Sequence, residues 1–505
     1  MIKKNLFAAY AGTIWNVLLP LIITPLLLKA LGREAFGLIA VSLLLHSILS
    51  LMEVGLSSAL SRTFAEKTSN TGDDSKATEM HNLLRTFEYF YLFIVFIVIS
   101  SVLIISPFLA THWFKEHALP YDIIWQSLSL IGLWIGVRFF ISLYSGGLAG
   151  LQRQVLLNTI AILLNTISSF GGVALLIWVN PDPRLYFLWL AIAGIITALM
   201  LRIALNHVLP ARLVPIKFDR AQWKNVKKFV FGMSSLTFTT LAVTQVDKLL
   251  LSRLLPLRDF GLYSIAANAA NSVQFLATPV LNVTYPKLTQ QYATGNEKGL
   301  IDTYQYASRL VALLVFPIGI TLATFSQEVL NLWLRDSIVA SELHWILTLL
   351  VIGNCFLTCF MMMPYALTLA HADTKITLKS HIIILLIQVP VVIFSAIQFG
   401  AKGTAAAWCL LFIIYGPYYA WAVNKRYLPS SHLSWLWRSI IKPAITALIV
   451  IISVKYIVVS NMIPNMYALI YIFLSWSLSQ LLVLIFAPLP GVNFRSLNTI
   501  QFKKH

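Results

Sequence analysis

Fourteen apolar stretches, each long enough to cross a lipid bilayer, follow one another along this chain of 505 residues and constrain it more than any other feature. They lie at 9–28, 36–60, 89–110, 123–146, 155–179, 185–208, 229–251, 260–285, 304–325, 343–370, 378–399, 404–423, 440–459 and 466–486. A helix needs about 20 predominantly apolar residues to span the hydrocarbon, where each backbone N–H and C=O must find its partner inside the protein. Helices meet that demand segment by segment. With 58% hydrophobic and only 11% charged residues, against about 25% charged in soluble domains, the chain is expected to be an all-α, polytopic membrane protein with about 14 transmembrane helices.

The three cysteines, Cys355, Cys359 and Cys409, fall inside apolar runs without the spacing or neighbouring ligands of a metal site, and read as small apolar side chains. The first run has the charge order of a signal peptide but exceeds one in length and lacks a small-residue cleavage site, so it is expected to stay as the first helix.

Positive charge near helix ends favours the cytoplasmic side. Sorted into alternate connections, 24 of the 37 Lys and Arg residues fall on the side of the N-terminus and only 8 on the other, namely Lys29, Arg33, Lys115, Arg184, Arg253, Arg258, Arg335 and Lys402. Five lie within the apolar runs: Arg138, Arg202, Lys248, Arg309 and Lys455. Both termini are therefore expected in the cytoplasm. Most of the net charge of +18 is then topology, and no nucleic-acid partner is implied.

A repeat divides the chain. Leu26-Leu27-Leu28 followed by Phe36-Gly37-Leu38 recurs as Leu249-Leu250-Leu251 followed by Phe260-Gly261-Leu262, with a base and an acid just before each FGL (Arg33-Glu34, Arg258-Asp259). A weaker echo pairs Leu148-Ala149 and Arg153 with Leu369-Ala370 and Lys375. Six helices separate equivalent points, so the repeats share one orientation. The expected organisation is an N-lobe at 1–209 with helices 1–6, a basic connection at 210–228, a C-lobe at 229–427 with helices 7–12, and helices 13–14 with a cytoplasmic tail at 428–505. Within the connection, Asp219 as a cap followed by Trp223, Lys224, Lys227 and Lys228 suits a short basic helix on the membrane surface, either attracting anions or anchoring topology.

Charges in mid-membrane face a cavity or a partner. Arg138 lies some 15 residues, or about 22 Å, into its helix and can hold a phosphate group through forked hydrogen bonds, with a salt bridge to an acid such as Glu53, or snorkelling, as the structural alternative. Arg62 and Arg309, on the inner half or cytoplasmic end of their helices, can draw in an anionic head group or simply mark topology. Arg202, Lys248 and Lys455 lie nearer helix ends and are expected to snorkel. Glu53 and Asp247 are the acids read as lying within spans. Each can bind a coupling proton or Na⁺, or make a structural ion pair; adjacent Lys248 is not expected to face Asp247.

Polar side chains also form stripes at helical spacing: Thr13, Asn16, Pro20 and Thr24; Asn158, Asn165 and Ser169; Asn268, Asn271, Thr278 and Asn282. They suit a wet interior, with interhelical hydrogen bonding as the alternative. Pro20 and Pro279 mark candidate gating bends. No GxxxxGK[ST] loop occurs, no cofactor is called for, and the short outer connections give little support to a membrane glycosyltransferase or ligase.

The segments 24–38 (TPLLLKALGREAFGL), 53–66 (EVGLSSALSRTFAE), 143–158 (LYSGGLAGLQRQVLLN) and 244–266 (TQVDKLLLSRLLPLRDFGLYSIA), with YPKL at 285–288, resemble the polysaccharide biosynthesis export family, which includes the Wzx O-antigen flippases. The resemblance covers roughly 9–427 and extends to multidrug and peptidoglycan-precursor exporters of the same superfamily. It implies two pseudo-symmetric six-helix lobes of MATE-like architecture around a cationic cavity, here followed by two extra helices. It further implies a flippase rather than an enzyme, moving undecaprenyl-diphosphate-linked oligosaccharide such as an O-antigen unit across the bacterial cytoplasmic (inner) membrane by ion-coupled alternating access. Arg138, Arg62, Arg309, Asn268, Asn271 and Asn16 are then candidate substrate contacts, Asp247 and Glu53 candidate ion-coupling residues, and Pro20 and Pro279 candidate gates. Expected partners are that glycolipid, H⁺ or Na⁺, membrane lipids, and glycan polymerase or ligase proteins. A multidrug or organic-cation exporter is the alternative.

Overall fold

The computed structural model describes residues 2–68, 74–115, 119–209, 238–429, 432–460 and 467–486; the side chains of 2–10, 51–56, 58–59, 66–68 and 74–78 lie outside the description, as do the basic connection around Asp219 and Trp223 and the tail. The described chain is helical, in chain order: α1 (Ile2–Thr68), α2 (Asp74–Phe108, extended by a π-type turn at Leu109–Trp113), α3 (Tyr121–Gly150), α4 (Gln154–Trp178), α5 (Pro183–Val208), α6 (238–254), α7 (Leu257–Phe275) and α8 (Thr278–Ala293). There follow α9 (Glu297–Thr324), α10 (Ser326–Leu334), α11 (Ser337–Ala370), α12 (Lys375–Tyr427), α13 (His432–Trp435), a π-type turn at Leu436–Ile441, α14 (Lys442–Ser460) and α15 (Ala468–Phe486).

Ten of these, among the described residues, are long and apolar enough to cross a membrane. Two carry more than one crossing. At 1.5 Å per residue the 53 residues of α12 would extend about 80 Å against a hydrocarbon core of about 30 Å, and the helical path is broken at Gly400, where φ is +61°. In α1 the break is Gly32, with φ +81°. Only glycine adopts such backbone without strain, so these residues turn one long apolar helix into two. With α6 and the broken pair α7 and α8, the arrangement accommodates the fourteen apolar runs.

The chain divides into two compact units, Met1–Leu262 and Tyr263–His505. In the first, α3 is the central helix, packed on by α1, α2 and α5. Its glycines seat neighbouring backbone: a Cβ on Gly146 would stand 2.3 Å from the Ser57 hydroxyl, and one on Gly150 2.4 Å from the Ser61 carbonyl oxygen. Lipid-filled surroundings give helices no hydrophobic reason to associate, so such close approach carries the packing. In the second unit α11 is central, with α12 and α9 against it.

The weaker sequence echo returns as a backbone identity in another register: the expected pairing of Leu148, Ala149 and Arg153 with Leu369, Ala370 and Lys375 is corrected to Thr368, Leu369 and Asp373. In the turn after α3, Leu151, Gln152 and Arg153 donate their N–H groups to the carbonyls of Gly147, Ala149 and Leu148; in the turn after α11, His371, Ala372 and Asp373 donate to Leu367, Leu369 and Thr368. Every donor and acceptor is displaced by the same 220 residues. Gln152 and Ala372 both take left-handed backbone, with φ +57° and +52°.

Helices 13–14 of the sequence reading, here α14 and α15, pack on α9. Trp435, fully buried, stacks on Tyr304, and the Ser439 hydroxyl donates to the Gln305 carbonyl. Lys455 on α14 pairs with Glu328 on α10 and lies 4.7 Å from the centre of the Phe325 ring. This corrects the expectation that Lys455 snorkels.

Two predictions follow from the packing. Gly150→Val is expected to force α3 from α1 and lower stability by about 1–3 kcal/mol, read from thermal unfolding in detergent. At the α4–α5 connection, the hydrogen bond from Arg184 and that residue's backbone N–H hold the Asp182 carboxyl below the usual carboxylate range. A depressed carboxylate stabilises the fold above its unfolded pKa and ceases to as pH falls through the folded one. Asp182→Asn should therefore lower the melting temperature at neutral pH, the two proteins converging as acidity protonates the carboxylate.

Candidate functional site

In the first unit, α1 shows two exposed faces on opposite sides. Ile14, Leu18 and Ile22 are 57%, 44% and 44% exposed, while half a helical turn away Thr13, Asn16 and Pro20 are exposed as well. One face suits lipid and the other suits water. Pro20 has no N–H, so the Asn16 carbonyl four residues earlier also lacks its intrahelical donor and adds an acceptor to the polar face.

Helix α4 has the same two-sidedness. Leu156, Leu163 and Ile167 form its exposed apolar face, and Asn158, Asn165 and Ser169 lie roughly opposite, half-buried. The two polar stripes meet: the Asn165 amide donates to Asn16 Oδ1 at 3.2 Å, the Trp15 indole N–H donates to the Thr166 hydroxyl at 2.9 Å, and Gly12 receives Asn158, where a Cβ would stand 2.2 Å from its Oδ1. Both readings of the stripes hold here, since they join helices and keep an exposed polar side.

Arg138 is in the middle of α3 and half-buried, as are Trp134, Ser145 and Ala149 on its side of a helix half of whose residues are buried. Its guanidinium lies 5.4 Å from the centre of the Trp134 ring, which meets His46 edge-on at 5.7 Å. A planar cation resting on an aromatic face keeps a fixed orientation, as a site for a planar or tetrahedral anion requires. Arg62 is exposed near the end of α1, and the Glu53 side chain lies outside the described residues.

Asp247 on α6 is 2% exposed, and Lys248 folds back along the helix, its Nζ 3.9 Å from Asp247 Oδ1 and donating to the Thr244 carbonyl. The expectation that these neighbours do not face is thus corrected: the flexible lysine stem reaches round where the Cβ directions diverge. Arg202, near the end of its helix, also has a carboxylate partner. Its Nε donates to Glu88 Oε1 at 2.9 Å, with Arg85 Nη1 on Oε2 and the Tyr144 hydroxyl on Oε1, both at 2.9 Å. Glu88, 6% exposed, was not among the acids read as membrane-embedded, although Arg85 one helical turn earlier was a legible signal. Three of the five bases within the runs, Arg202, Lys248 and Lys455, therefore lie beside carboxylates.

The two FGL motifs touch. A Cβ on Gly261 would stand 3.0 Å from the Gly37 backbone, and one on Gly37 2.3 Å from the Leu257 carbonyl oxygen. Beside them Lys115 and Pro256 form a backbone bridge, Trp113 donates to the Ser252 hydroxyl at 3.1 Å, and the Arg253 guanidinium covers the Trp113 ring at 5.2 Å. All these segments lie on the side that charge sorting assigns to the outside.

In the second unit, Asn268 is exposed on a stretch, 260–270, whose other residues are buried, and Asn271 is half-buried. The run expected as one helix at 260–285 is interrupted instead: α7 ends at Phe275, and α8 begins at Thr278 with Pro279 in its first turn. Proline fits a first turn because its missing N–H would have no partner there. Arg309 lies half-buried on α9, one turn beyond Gln305, and feels the like charge of Arg438. The three cysteines are buried and unlinked, and no cluster of metal-ligating side chains occurs among the described residues.

A helical fold with apolar and polar exposed faces on single helices defines a multi-pass membrane protein. The chain belongs to the family described as polysaccharide biosynthesis protein, which it matches over residues 2–292. It is 20% identical over 400 residues to a Shigella flexneri protein named "Putative O-antigen transporter", covering 77% of this chain and 89% of that one. It is 23% identical over 360 residues to the uncharacterized membrane protein EpsK of Bacillus subtilis (strain 168), covering 66% and 65%. Its fold is that of the lipid II flippase MurJ in an inward closed conformation, with a TM-score of 0.68 at 16% identity over 95% of this chain and 98% of the other. An inward-facing MATE multidrug transporter gives 0.62 at 14% identity, over 84% and 96%.

Cysteines placed at Asn16 and Asn268 are expected to react readily with a hydrophilic maleimide, because thiolate formation needs water. One at Leu18 should stay unreactive in the membrane. Equal protection at all three would mean that the polar faces are dry.

Proposed function

We propose that this protein is a flippase for a lipid-linked oligosaccharide, moving an undecaprenyl-diphosphate-linked sugar unit from the inner to the outer leaflet of the bacterial cytoplasmic membrane. The observation that carries the reading is the exposed polar face of α1, which meets the half-buried polar stripe of α4 opposite the exposed apolar side of each helix, with Arg138 half-buried in the middle of α3. A hydrated face lined by Asn and Thr can exchange hydrogen bonds with sugar hydroxyls. An oriented guanidinium can neutralise a diphosphate through paired charge-assisted hydrogen bonds. Family membership and the Shigella flexneri relative support a polysaccharide cargo.

Alternating access requires a closure on each side, and we assign the outer one to the paired FGL motifs with the Lys115–Pro256 bridge. Glycine at both positions lets two helices touch at backbone distance, so a small separation opens a path. Asn16, Asn268 and Asn271 are proposed as contacts to the sugar, and Arg62 and Arg309 as contacts drawing in the head group. Pro20 and Pro279 are proposed as hinges, Pro279 standing where α7 and α8 are interrupted. Buried Asp247, with Glu53, is proposed to couple transport to H⁺ or Na⁺. Glycan polymerase or ligase proteins are proposed to receive the product. One observation favours a cation exporter instead: pairing of three embedded bases reduces the cationic excess.

The test is a reconstituted flipping assay with lipid-diphosphate-linked oligosaccharide, run beside uptake of a cationic dye. Arg138→Ala is expected to slow flipping by about 10- to 100-fold, the equivalent of losing charge-assisted hydrogen bonds of about 1.5–3 kcal/mol. Movement of the dye but never the glycolipid would refute the flippase. A disulfide between Lys115→Cys and Pro256→Cys should stop transport and its reduction restore it; undiminished flipping by the cross-linked protein would remove the outer-closure role. Dissipating both ion gradients without effect would remove Asp247 and Glu53 from coupling.

A further inference from the structure

The carboxylate of Glu88 holds two arginines, Arg85 from α2 and Arg202 from α5, and nothing in the transport scheme uses them. Both side chains are well exposed, 39% and 41%, although the carboxylate between them is buried at 8%. The direction of that exposure is informative. On α2, Leu92, Phe96 and Leu103 lie 7, 11 and 18 residues after Arg85, spacings that return to one side of a helix, and they are 53%, 70% and 48% exposed. On α5, Ile195 and Leu188 lie 7 and 14 residues before Arg202 on its side and are 43% and 41% exposed. Both arginines therefore open onto the outer, apolar surface of the first unit, towards lipid. Charge sorting puts this end of α2 and α5 on the cytoplasmic side.

Two guanidiniums and one carboxylate leave a net positive charge at an apolar surface. Such a charge is costly in contact with acyl chains and is neutralised at the interface by an anion. The pair is pre-organised for one, because Glu88 fixes Arg85 through one oxygen and Arg202 through the other, at 2.9 Å each. Each guanidinium carries five N–H donors and spends one of them on Glu88. The Tyr144 hydroxyl braces the carboxylate at 2.9 Å, and the Tyr89 ring, 49% exposed, lies 4.9 Å from the Arg85 guanidinium at the depth where amphipathic aromatic rings favour the interface.

We propose that Arg85 and Arg202, braced on Glu88, form a docking site for the phosphate of a cytoplasmic-leaflet lipid on the lipid-facing surface between α2 and α5. The ligand chemistry is a phosphate ester or diphosphate on a hydrophobic tail. The occupant is an anionic glycerophospholipid, which the cytoplasmic leaflet supplies at its surface; a polyprenyl diphosphate shares the chemistry and is the competing outcome of the test. Glu88 is a positioning residue here, for without it the two guanidiniums would repel one another and lose their common orientation.

The test is native mass spectrometry of the detergent-purified full chain titrated with phosphatidylglycerol, phosphatidylcholine and polyprenyl diphosphate. The unmodified protein should retain one phosphatidylglycerol in preference to phosphatidylcholine. The double variant Arg85→Gln and Arg202→Gln should lose that preference by tenfold or more, while Arg85→Lys with Arg202→Lys keeps most of it. Displacement by polyprenyl diphosphate would assign the site to the cargo lipid; retention of phosphatidylglycerol against it would assign a glycerophospholipid. Equal retention by the Gln variant overturns the proposal. Photo-cross-linking of unmodified protein with a headgroup-azido phosphatidylglycerol gives a readout free of folding effects: labelling should fall near residues 85–89 and 199–205, and labelling confined elsewhere overturns the site. Because binding alone is read, failure here leaves flipping untouched, and a protein that binds the lipid without flipping would fail only the transport reading.

Discussion

Close approach of helices at glycine holds each half of this protein together. Inside a bilayer the tails of lipids are as apolar as leucine, so burying one helix against another gains little from excluding water, and van der Waals contact has to be dense to count. Gly146 and Gly150 bring α3 onto Ser57 and Ser61 of α1; Gly12 brings α1 onto Asn158 of α4; Gly353 brings α11 onto Trp408 and the backbone of Cys409 on α12. At each seat a methyl group would stand within 3.0 Å of its neighbour. Gly37 and Gly261 use the same device where the two copies of the repeat meet, and there it lends itself to reversibility, since a contact without side chains can part without unlocking rotamers.

Against this tightly seated frame, polar groups are distributed by role. Some are consumed in holding helices in register: Glu88 with its two arginines and Tyr144, Glu328 with Lys455, and Tyr304 donating to Asn424 at 2.7 Å. At the turn after α11, Asp373 does similar work, accepting from Tyr427 at 3.0 Å and Arg426 at 2.6 Å. Burial opposes its ionisation, yet the Lys375 backbone N–H, the Tyr427 hydroxyl and the Arg426 charge hold its carboxyl below the ordinary range. Others lie on faces that remain open: Asn268 on α7, and Asn16 on α1, which also accepts from Asn165. This division between structural pairs and open polar positions separates the frame from the surface proposed to meet cargo.

Duplication explains how one chain supplies both halves. The turns after α3 and α11 repeat one hydrogen-bond pattern at a fixed displacement, down to the left-handed residue at their centre, although Gln152 and Ala372 share no chemistry. Backbone geometry has outlasted side-chain identity. The next residue differs in charge, Arg153 in one turn and Asp373 in the other, so equivalent positions have taken different electrostatic tasks.

The spans, their alternation, the FGL repeat and the polar stripes were legible in the sequence because hydropathy and helical periodicity are properties of neighbouring residues. Arg138 was legible as well, since it stands deep within an apolar run. The partners of Arg202 and Lys455 were not, for Glu88 and Glu328 lie 114 and 127 residues away and each acid sits beside an apolar run that hides its burial. Nor could periodicity reveal that the expected helix at 260–285 is interrupted before Thr278, or that Lys248 curls back to its neighbour. The sequence by itself determined a helical membrane protein of repeated halves; the tertiary structure decided which charges are paired, which faces stay open and where the repeats touch, because a side chain's electrostatic neighbourhood is set by packing between helices far apart along the chain.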